Sequence, residues 1–260
     1  MKTRKTHHEK RMQELHELSL HDAVMAFYMQ CIAELGSNLS MLDLGAGSGS
    51  VSKTLCRNDS ICSIVAYDKE LEYMRELDIN EKISKCTDGT THSLPFDDAS
   101  FDLVICRYAF HHFEKKHESL NEIYRVLKST GLLLYSDPVF PDHSKNCLNP
   151  VYAIREDNFH GYMGYFDTLA SLEKAGFTPV LMRPYKYRCP FVKYLEGVED
   201  GFTDSQEGSN IFSQTLKTKI QRAWLSLDDQ TKAEMKITQE GGLLDFQYNF
   251  IDIACMKDND

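Results

Sequence analysis

A glycine-rich turn in the first fifth of the chain has the residue types and spacing to hold a small ligand. The sequence MLDLGAGSGSVS places Gly45, Gly47 and Gly49 directly after a short apolar run that contains Asp43. Glycine lets the backbone turn tightly and approach a ligand without a Cβ clash. The helix that follows such a turn points free N–H groups at the ligand. The alternative interpretation is a plain strand-to-helix turn in which glycine serves close packing only.

Two carboxylates strengthen the binding interpretation and narrow the choice of ligand. Asp68 ends the next apolar run, 19 residues after Gly49, at the place where an acidic side chain accepts hydrogen bonds from ribose hydroxyls. A dinucleotide fingerprint that starts at Gly45 would require glycine at position 50, which is Ser50. Asp43 would repel a diphosphate but suits an ammonium group, directly or through water. The pattern therefore favours a sulfonium amino acid carried on a nucleoside over a nicotinamide dinucleotide.

Four blocks of sequence together carry a family resemblance. The blocks are DLGAGSG, AYDKE, DGTTHSLPFDDASFDLVICRYAFHHF and EIYRVLKSTGLLLYSD. In combination they resemble the class I S-adenosylmethionine-dependent methyltransferases, and most of all the small-molecule branch that is similar to the enzymes of ubiquinone and menaquinone biosynthesis. The resemblance covers roughly residues 20–180, with a looser match for the final strand. It implies S-adenosylmethionine as the cofactor and S-adenosylhomocysteine as the product.

The resemblance also implies a role for each matching position. Asp43, Gly45, Ala46 and Gly47 would line the methionine part of the cofactor, and Asp68 would bind the ribose hydroxyls with Lys69 beside the adenine. The resemblance also implies that Asp88 accepts a hydrogen bond from the adenine amino group and that the backbone of Gly89 lies nearby. Arg107 would contact the methionine moiety through its backbone. Two departures from the family pattern, Lys69 and the Ser129-Thr130-Gly131 sequence, leave the glycine turn untouched.

Methyl transfer from a sulfonium is an in-line displacement, so the protein mainly supplies orientation and a dry site. A general base is needed only if the acceptor carries a proton of high pKa. The candidate bases are His111, His112, Asp137 and His160. Each has a structural alternative: one of the two adjacent histidines packs or caps the next helix, which His112 fits, Asp137 forms a turn before Pro138, and His160 is an exposed loop residue. No metal site is predicted, because the eight cysteines are scattered and form no CxxC pair.

Apolar runs of strand length alternate with amphipathic segments of helix length. Seven strands are predicted, near residues 41–44, 61–67, 83–86, 101–108, 132–135, 178–183 and 246–256. This alternation predicts an α/β fold, with a doubly wound, mostly parallel sheet and helices on both faces. The resemblance implies that the last strand is antiparallel. Ligands bind beyond the carboxyl ends of the strands in such sheets, which is where the candidate residues follow.

The chain is predicted to form a single domain over residues 1–260. Its predicted parts are a helical arm (1–36), a cofactor-binding core (37–137 and 166–187), a lid (138–165), a helical cap (188–242) and a final strand (243–257). The lid segment holds several prolines and polar residues and is predicted to be a long loop. The cap region and the residues just before it are rich in aromatic residues: Tyr185, Tyr187, Phe191, Tyr194, Phe202, Phe212 and Trp224. These rings suit an apolar or aromatic acceptor, although a small core of the cap itself is the favoured interpretation for most of them.

Composition restricts the class of substrate. The 260 residues carry 29 Lys and Arg against 39 Asp and Glu, a formal net charge of −10, which disfavours a nucleic acid partner. No apolar run is long enough to span a bilayer, and a cytoplasmic location with reduced thiols is predicted.

Three alternatives stay open: a nicotinamide-dependent oxidoreductase, a nucleic-acid methyltransferase and a non-catalytic cofactor-binding protein. Nucleic-acid methyltransferases that modify bases often carry an Asn/Asp-Pro-Pro-aromatic motif after the fourth strand, whereas this chain has Arg107-Tyr108-Ala109-Phe110 there. The oligomeric state is not predicted.

Overall fold

The computed structural model describes residues 19–156, 158–195, 206–240 and 243–258. Its helices are α1 (Ser19–Ala33), α2 (Ser50–Leu55), α3 (Lys116–Val126), α4 (Asp142–Arg155), α5 (Tyr165–Lys174), α6 (Phe191–Leu195), α7 (Gln206–Leu225) and α8 (Asp229–Glu234). Its strands are β1 (Leu39–Leu44), β2 (Ile61–Tyr67), β3 (Ile83–Cys86), β4 (Phe101–Arg107), β5 (Leu127–Phe140), β6 (Met163–Gly164), β7 (Phe177–Pro190), β8 (Thr238–Glu240) and β9 (Leu243–Lys257). Short 3-10 turns cover Leu71–Met74 and Phe110–His112.

The strands form one sheet in the order β3-β2-β1-β4-β5-β9-β7, with β6 beside β5 and β8 beside β9. Strands β1 to β5 pair in parallel, whereas β9 runs antiparallel to both β5 and β7. The predicted α/β fold is therefore confirmed, with seven strands along the main path and an antiparallel last strand. The carboxyl ends of β1, β2 and β4 lie at one edge, where the glycine turn begins.

Alternate residues of the central strands point to opposite faces of the sheet, and each face is covered by helices. Leu42, Val104 and Leu133 belong to one apolar core, which α3 and α5 complete. Their neighbours Met41 and Leu103 belong to the core on the other face, which α1 and α2 complete. Both faces of the central strands are thus buried, which holds the strand ends in fixed positions.

The predicted lid is a correction. Residues 138–165 were expected to form a long loop, but β5 continues to Phe140 and α4 then occupies Asp142–Arg155. Pro138 is tolerated because its pairing with Phe250 is the last in the β5–β9 ladder. Helix α4 forms in spite of Pro150 because one of its faces packs into an apolar core through Leu148 and Tyr152. Burial of this face outweighs the helix-breaking signal on which the prediction rested.

The cap has its own core. A third apolar cluster joins rings from β5, α4, α6, α7 and β9, including the fully buried Trp224, Tyr152 and Phe246. A small core of the cap was the favoured interpretation for most of its aromatic residues, and Phe191, Tyr194 and Trp224 belong to this cluster. The predicted boundary at residue 187 falls inside β7, which extends to Pro190. Phe202, residues 196–205 and 241–242 of the predicted cap, and residues 1–18 of the predicted arm lie outside the described residues, as does the side chain of Phe212.

Candidate active site

The glycine turn follows β1 and packs tightly against the start of the segment after β4. The backbone N–H groups of Gly45 and Ala46 both donate to the Tyr67 carbonyl, at 2.9 Å each. Gly45 has φ +78°, and a Cβ there would lie 2.4 Å from Cβ of Ala109. Gly47 has φ +53°, but a Cβ there would meet no atom within 4 Å. Gly45 is therefore required by packing, whereas Gly47 leaves open space of the kind a ligand would occupy.

Gly45→Ala is expected to destabilise the fold more than Gly47→Ala does. The positive φ costs a side chain about 1–2 kcal/mol at either position. The overlap with Ala109 adds about 1–3 kcal/mol at Gly45 alone. Urea unfolding of the two variants measures the difference. Equal free energies of unfolding would contradict the packing account of this turn.

Asp43 is buried in β1 and holds the start of α2. Its Oδ2 accepts hydrogen bonds from Oγ of Ser52 at 2.6 Å and from N of Ser52 at 3.1 Å. Burial raises the pKa of Asp43 to about 6, although the two bonds from Ser52 and the nearby Arg107 guanidinium oppose that rise. The Asp43 side chain thus fixes the start of α2 relative to β1, and with it the geometry of the glycine turn between them. The resemblance also implies a contact between Asp43 and the methionine ammonium.

Asp68 follows β2 and faces the glycine turn. Its Oδ2 accepts a hydrogen bond of 2.9 Å from the backbone N–H of Gly47. Burial raises the pKa of Asp68 to about 6, against the opposing effect of that N–H. Lys69, Asp88 and Gly89 are exposed along the same edge, beyond the ends of β2 and β3. The predicted ribose and adenine contacts therefore lie side by side at the edge of the sheet where Gly47 leaves open space.

Cofactor affinity is expected to fall as the pH drops from 7 to 5. A protonated Asp68 is a poorer acceptor for ribose hydroxyls, so affinity falls by about tenfold per pH unit below the raised pKa. The pKa of Asp68 is higher in the folded state than in the unfolded state, so the folded state binds this proton more tightly. Protonation of Asp68 between pH 7 and pH 5 therefore does not lower the free energy of unfolding. Calorimetric titration with S-adenosylhomocysteine at several pH values measures the effect. An Asp68→Asn variant with the same pH profile as the wild type would contradict this assignment.

Arg107 is a buried cation at the end of β4, and two of its three guanidinium nitrogens lack a partner among the described residues. Nη1 donates to Oγ of Ser50 at 3.2 Å, and the guanidinium lies 4.5 Å from the ring centroid of Tyr108. Nε and Nη2 are buried and have no hydrogen-bond partner within the described parts of the chain. These two atoms form one edge of the planar group, which matches a carboxylate in a bidentate arrangement. The sequence predicted a backbone contact here, and the structure adds a side chain suited to a ligand carboxylate.

His111 and Asp137 form a buried pair close to this edge. Nδ1 of His111 lies 2.8 Å from Oδ1 of Asp137, and the backbone N–H of His111 donates to Oδ2 at 3.1 Å. Burial raises the pKa of Asp137 well above its usual range. When Asp137 is ionised, it accepts the hydrogen bond from Nδ1 of His111, and Nε2 is then the ring nitrogen that can accept another proton. His111 and Asp137, two of the predicted bases, are thus brought together, and Asp137 lies within β5 rather than after it.

Aromatic rings and titratable side chains pack around the His111–Asp137 pair. The His111 ring packs 4.7 Å from the ring of Tyr162 and 4.1 Å from that of His112. Burial lowers the pKa of His112 to about 4, so that imidazole is neutral at pH 7. His111, His112 and Glu156 each offer a potential ligand atom, all within 4.8 Å of one another. His112 and Glu156 are also close enough to Asp137 to affect its pKa, in opposite directions.

His160 does not share this buried position. Its side chain is exposed, and its backbone makes two hydrogen bonds. The His160 N–H donates to the His111 carbonyl at 2.9 Å, and Nζ of Lys116 donates to the His160 carbonyl at 2.9 Å. These two hydrogen bonds of the His160 backbone connect its segment to Lys116 and to the turn that contains His111. The structure does not place its imidazole in the buried cluster with His111 and Asp137.

A chain of buried polar groups was missed by the sequence analysis. The Tyr28 hydroxyl donates to Oγ of Ser136 at 2.6 Å, and Ser136 donates to Oδ1 of Asp252 at 2.6 Å. Arg183 binds the other oxygen of Asp252 through Nε at 3.0 Å. The link depends on the antiparallel register that sets Asp252 between Ser136 and Arg183. No local motif signals that register, because these residues are far apart in the sequence.

Tyr108 is buried directly after Arg107. It has φ +52°, a backbone conformation that a bulky residue rarely adopts. Its hydroxyl lies 2.6 Å from that of Tyr185, and its ring lies 5.3 Å from the ring of Phe250. Tyr108 therefore connects Arg107 to the aromatic core of the cap.

Comparison with known proteins agrees with this geometry. Residues 42–135 match a family model described as a methyltransferase domain. A Bacillus subtilis protein described as the uncharacterized methyltransferase YcgJ is 35% identical over 113 residues, which are 42% of this chain and 45% of that protein. The demethylmenaquinone methyltransferase of Thermotoga maritima is 29% identical over 113 residues, 44% of this chain and 49% of that enzyme. The chain thus spans about half the length of these curated relatives.

A solved structure extends the likeness to most of the chain. A candidate methyltransferase from Bacillus halodurans superimposes with a TM-score of 0.75 at 24% identity and covers 88% of this chain and 96% of its own. At that identity the likeness shows the fold, which is that of class I methyltransferases. Together with the family match it supports S-adenosylmethionine as the cofactor of the domain. No helix within the described residues is long and apolar enough to cross a membrane.

Proposed function

Because residues 42–135 match a family model described as a methyltransferase domain, we propose that this chain transfers the methyl group of S-adenosylmethionine to a small-molecule acceptor. One observation carries the proposal. The open glycine turn with Asp68 at its side lies at the same sheet edge as Arg107, whose Nε and Nη2 are buried and unpaired within the described residues. A ribose and an amino-acid carboxylate on one ligand would use both features.

The residues present fit this cofactor. Asp68 would accept hydrogen bonds from the ribose hydroxyls, while Asp88 and Gly89 would lie beside the adenine with Lys69. The unpaired edge of Arg107 would hold the methionine carboxylate, which would remove the cost of two buried donors without partners. Asp43 would keep the turn in shape and favour the ammonium group. When bound, the cofactor supplies an activated methyl group.

The chain's own contribution is orientation, exclusion of water and removal of a proton. Orienting donor and acceptor in line can contribute about 7–11 kcal/mol in ideal cases. If the acceptor loses a proton, Nε2 of His111 would accept it, and Asp137 would stabilise the resulting imidazolium through Nδ1. His160 is retained as a candidate only if its exposed segment moves towards the site.

A small acceptor is supported by charge and by the surroundings of Tyr108. The net charge of −10 disfavours a polynucleotide. Tyr108 and Tyr185 lead from Arg107 into an aromatic cluster, which suits an apolar or aromatic acceptor. One similar protein is named for its action on demethylmenaquinone, which is a small molecule. The cytoplasmic location stays a prediction.

Methyl tracing tests the proposal. The purified chain would be incubated with S-adenosylmethionine that carries a trideuterated methyl group and with fractionated small-molecule extracts. A product with a gain of 17 mass units (CD₃ in place of H) together with S-adenosylhomocysteine would support transfer. Tight cofactor binding without product from any fraction would favour the non-catalytic alternative. Binding of NADH but not of S-adenosylmethionine would favour the oxidoreductase.

A further inference from the structure

A second group of chemically distinct side chains lies on the surface between α4 and α8, where β5 leads into the cap. His143 and Cys147 are four residues apart on α4, so both project from the same face of that helix. Asp228 caps the N-terminus of α8 and faces them. A nitrogen, a sulfur and a carboxylate oxygen from these residues all lie within 4.8 Å of one another.

The three side chains are already held together by hydrogen bonds. Nε2 of His143 lies 2.9 Å from Oδ1 of Asp228, and Sγ of Cys147 lies 3.2 Å from Oδ2. Tetrahedral ligands at zinc distances of about 2.0–2.3 Å are separated by about 3.3–3.7 Å. Small shifts of these side chains would therefore admit an ion without movement of the helices.

The electrostatic setting favours a cation. Oδ1 of Asp228 also accepts a hydrogen bond of 2.9 Å from the backbone N–H of Thr231, which holds this carboxylate in place. Glu234 accepts a hydrogen bond from Oγ of Ser144, the residue after His143, so a second carboxylate lies close by. Asp142 and Asp229 add exposed negative charge to the same pair of helix ends. His143 and Asp228 are 44% and 42% exposed, so an ion has access from solvent.

We propose that His143, Cys147 and Asp228 bind a borderline-soft divalent ion, Zn²⁺, which fastens α4 to the start of α8. Imidazole, thiolate and carboxylate together are a ligand set that zinc prefers, and a water molecule would complete the tetrahedron. On binding, the Cys147 thiol loses its proton to solvent and forms a bond to the ion as thiolate. The site is independent of the methyl-transfer residues, and the sequence analysis missed it because Asp228 lies 81 residues beyond Cys147.

Cobalt substitution gives the sharpest test. Co²⁺ bound to a thiolate produces a sulfur-to-metal charge-transfer absorption, which sites made only of histidine and carboxylate, such as His111 with His112 and Glu156, cannot produce. The full-length chain, kept reduced with a phosphine, should develop this band with one equivalent of Co²⁺ and lose it when Zn²⁺ is added. Zn²⁺ should also raise the Tm, because it binds the folded state.

Matched variants complete the design. Cys147→Ser should abolish the band, and His143→Ala should weaken Co²⁺ binding by about 10–100-fold or more. Cys62→Ser and His117→Ala replace exposed residues elsewhere and should leave the absorption band and the Co²⁺ affinity unchanged. Circular dichroism checks that each variant is folded. The proposal is overturned if the wild type shows no band, if the band persists in Cys147→Ser, or if His143→Ala binds Co²⁺ as tightly as the wild type.

Discussion

Replacing Asp68 with alanine should lower the affinity for S-adenosylhomocysteine by about 100-fold. The change removes an ionised acceptor from the ribose hydroxyls and leaves the Gly47 N–H without its partner. Hydrogen bonds to charged groups contribute about 1.5–3 kcal/mol each, and every 1.4 kcal/mol is about a tenfold change in affinity. Isothermal titration calorimetry at pH 7.5 measures the change directly.

Asp59→Ala is the matched control for Asp68→Ala. Asp59 is an exposed carboxylate just before β2, whereas Asp68 just follows that strand, so the two lie at opposite ends of the same element. The control should bind S-adenosylhomocysteine as the wild type does. Unchanged affinity in Asp68→Ala, with unchanged unfolding by urea, would remove Asp68 from the ribose site.

Replacing His111 with alanine should lower kcat by about 10²–10⁴-fold, the usual contribution of a positioned general base. Affinity for S-adenosylhomocysteine should stay within about twofold of the wild-type value, because no cofactor contact is assigned to His111. Asp137→Asn should also lower kcat, since an amide cannot stabilise the imidazolium as a carboxylate does. The assay follows S-adenosylhomocysteine release with the acceptor that methyl tracing identifies.

The pH profile separates a base from a merely structural histidine. Loss of a base should remove the rise of kcat with pH, whereas loss of packing should lower kcat equally at every pH. His117→Ala changes an exposed histidine in the first turn of α3 and should leave kcat unaltered. A His111→Ala variant with wild-type turnover and pH profile would show that the reaction needs no base at this position.

The residues proposed for the cofactor side of the site could be identified from the sequence because each feature there is local. Gly45 is signalled by its residue type, since only glycine fits the positive φ beside Ala109. Asp68 is signalled by its place at the end of an apolar strand. The parallel order of β1 to β5 follows from the alternation of strands and helices, so the meeting of these residues at one edge was predictable.

The acceptor side was less predictable because it depends on contacts between distant segments. On the cofactor side, the Arg107 side chain was not predictable either, because its role depends on which of its nitrogen atoms find partners, and sequence spacing does not reveal that. His160 was judged from its place in a predicted loop, but the preceding helix α4 packs against the cap core and leaves that imidazole exposed. The contact of His143 and Cys147 with Asp228 likewise needs the packing of two helices that the sequence does not specify.

A crystal structure with bound S-adenosylhomocysteine tests the central claim most directly. The account predicts that the ribose hydroxyls lie within hydrogen-bond distance of the Asp68 carboxylate and that the methionine carboxylate meets Nε and Nη2 of Arg107. It also predicts that the sulfur faces the side of the site that holds His111. A ligand bound away from the glycine turn, or a ribose that makes no contact with Asp68 while Arg107 keeps both donors unpaired, would contradict the account.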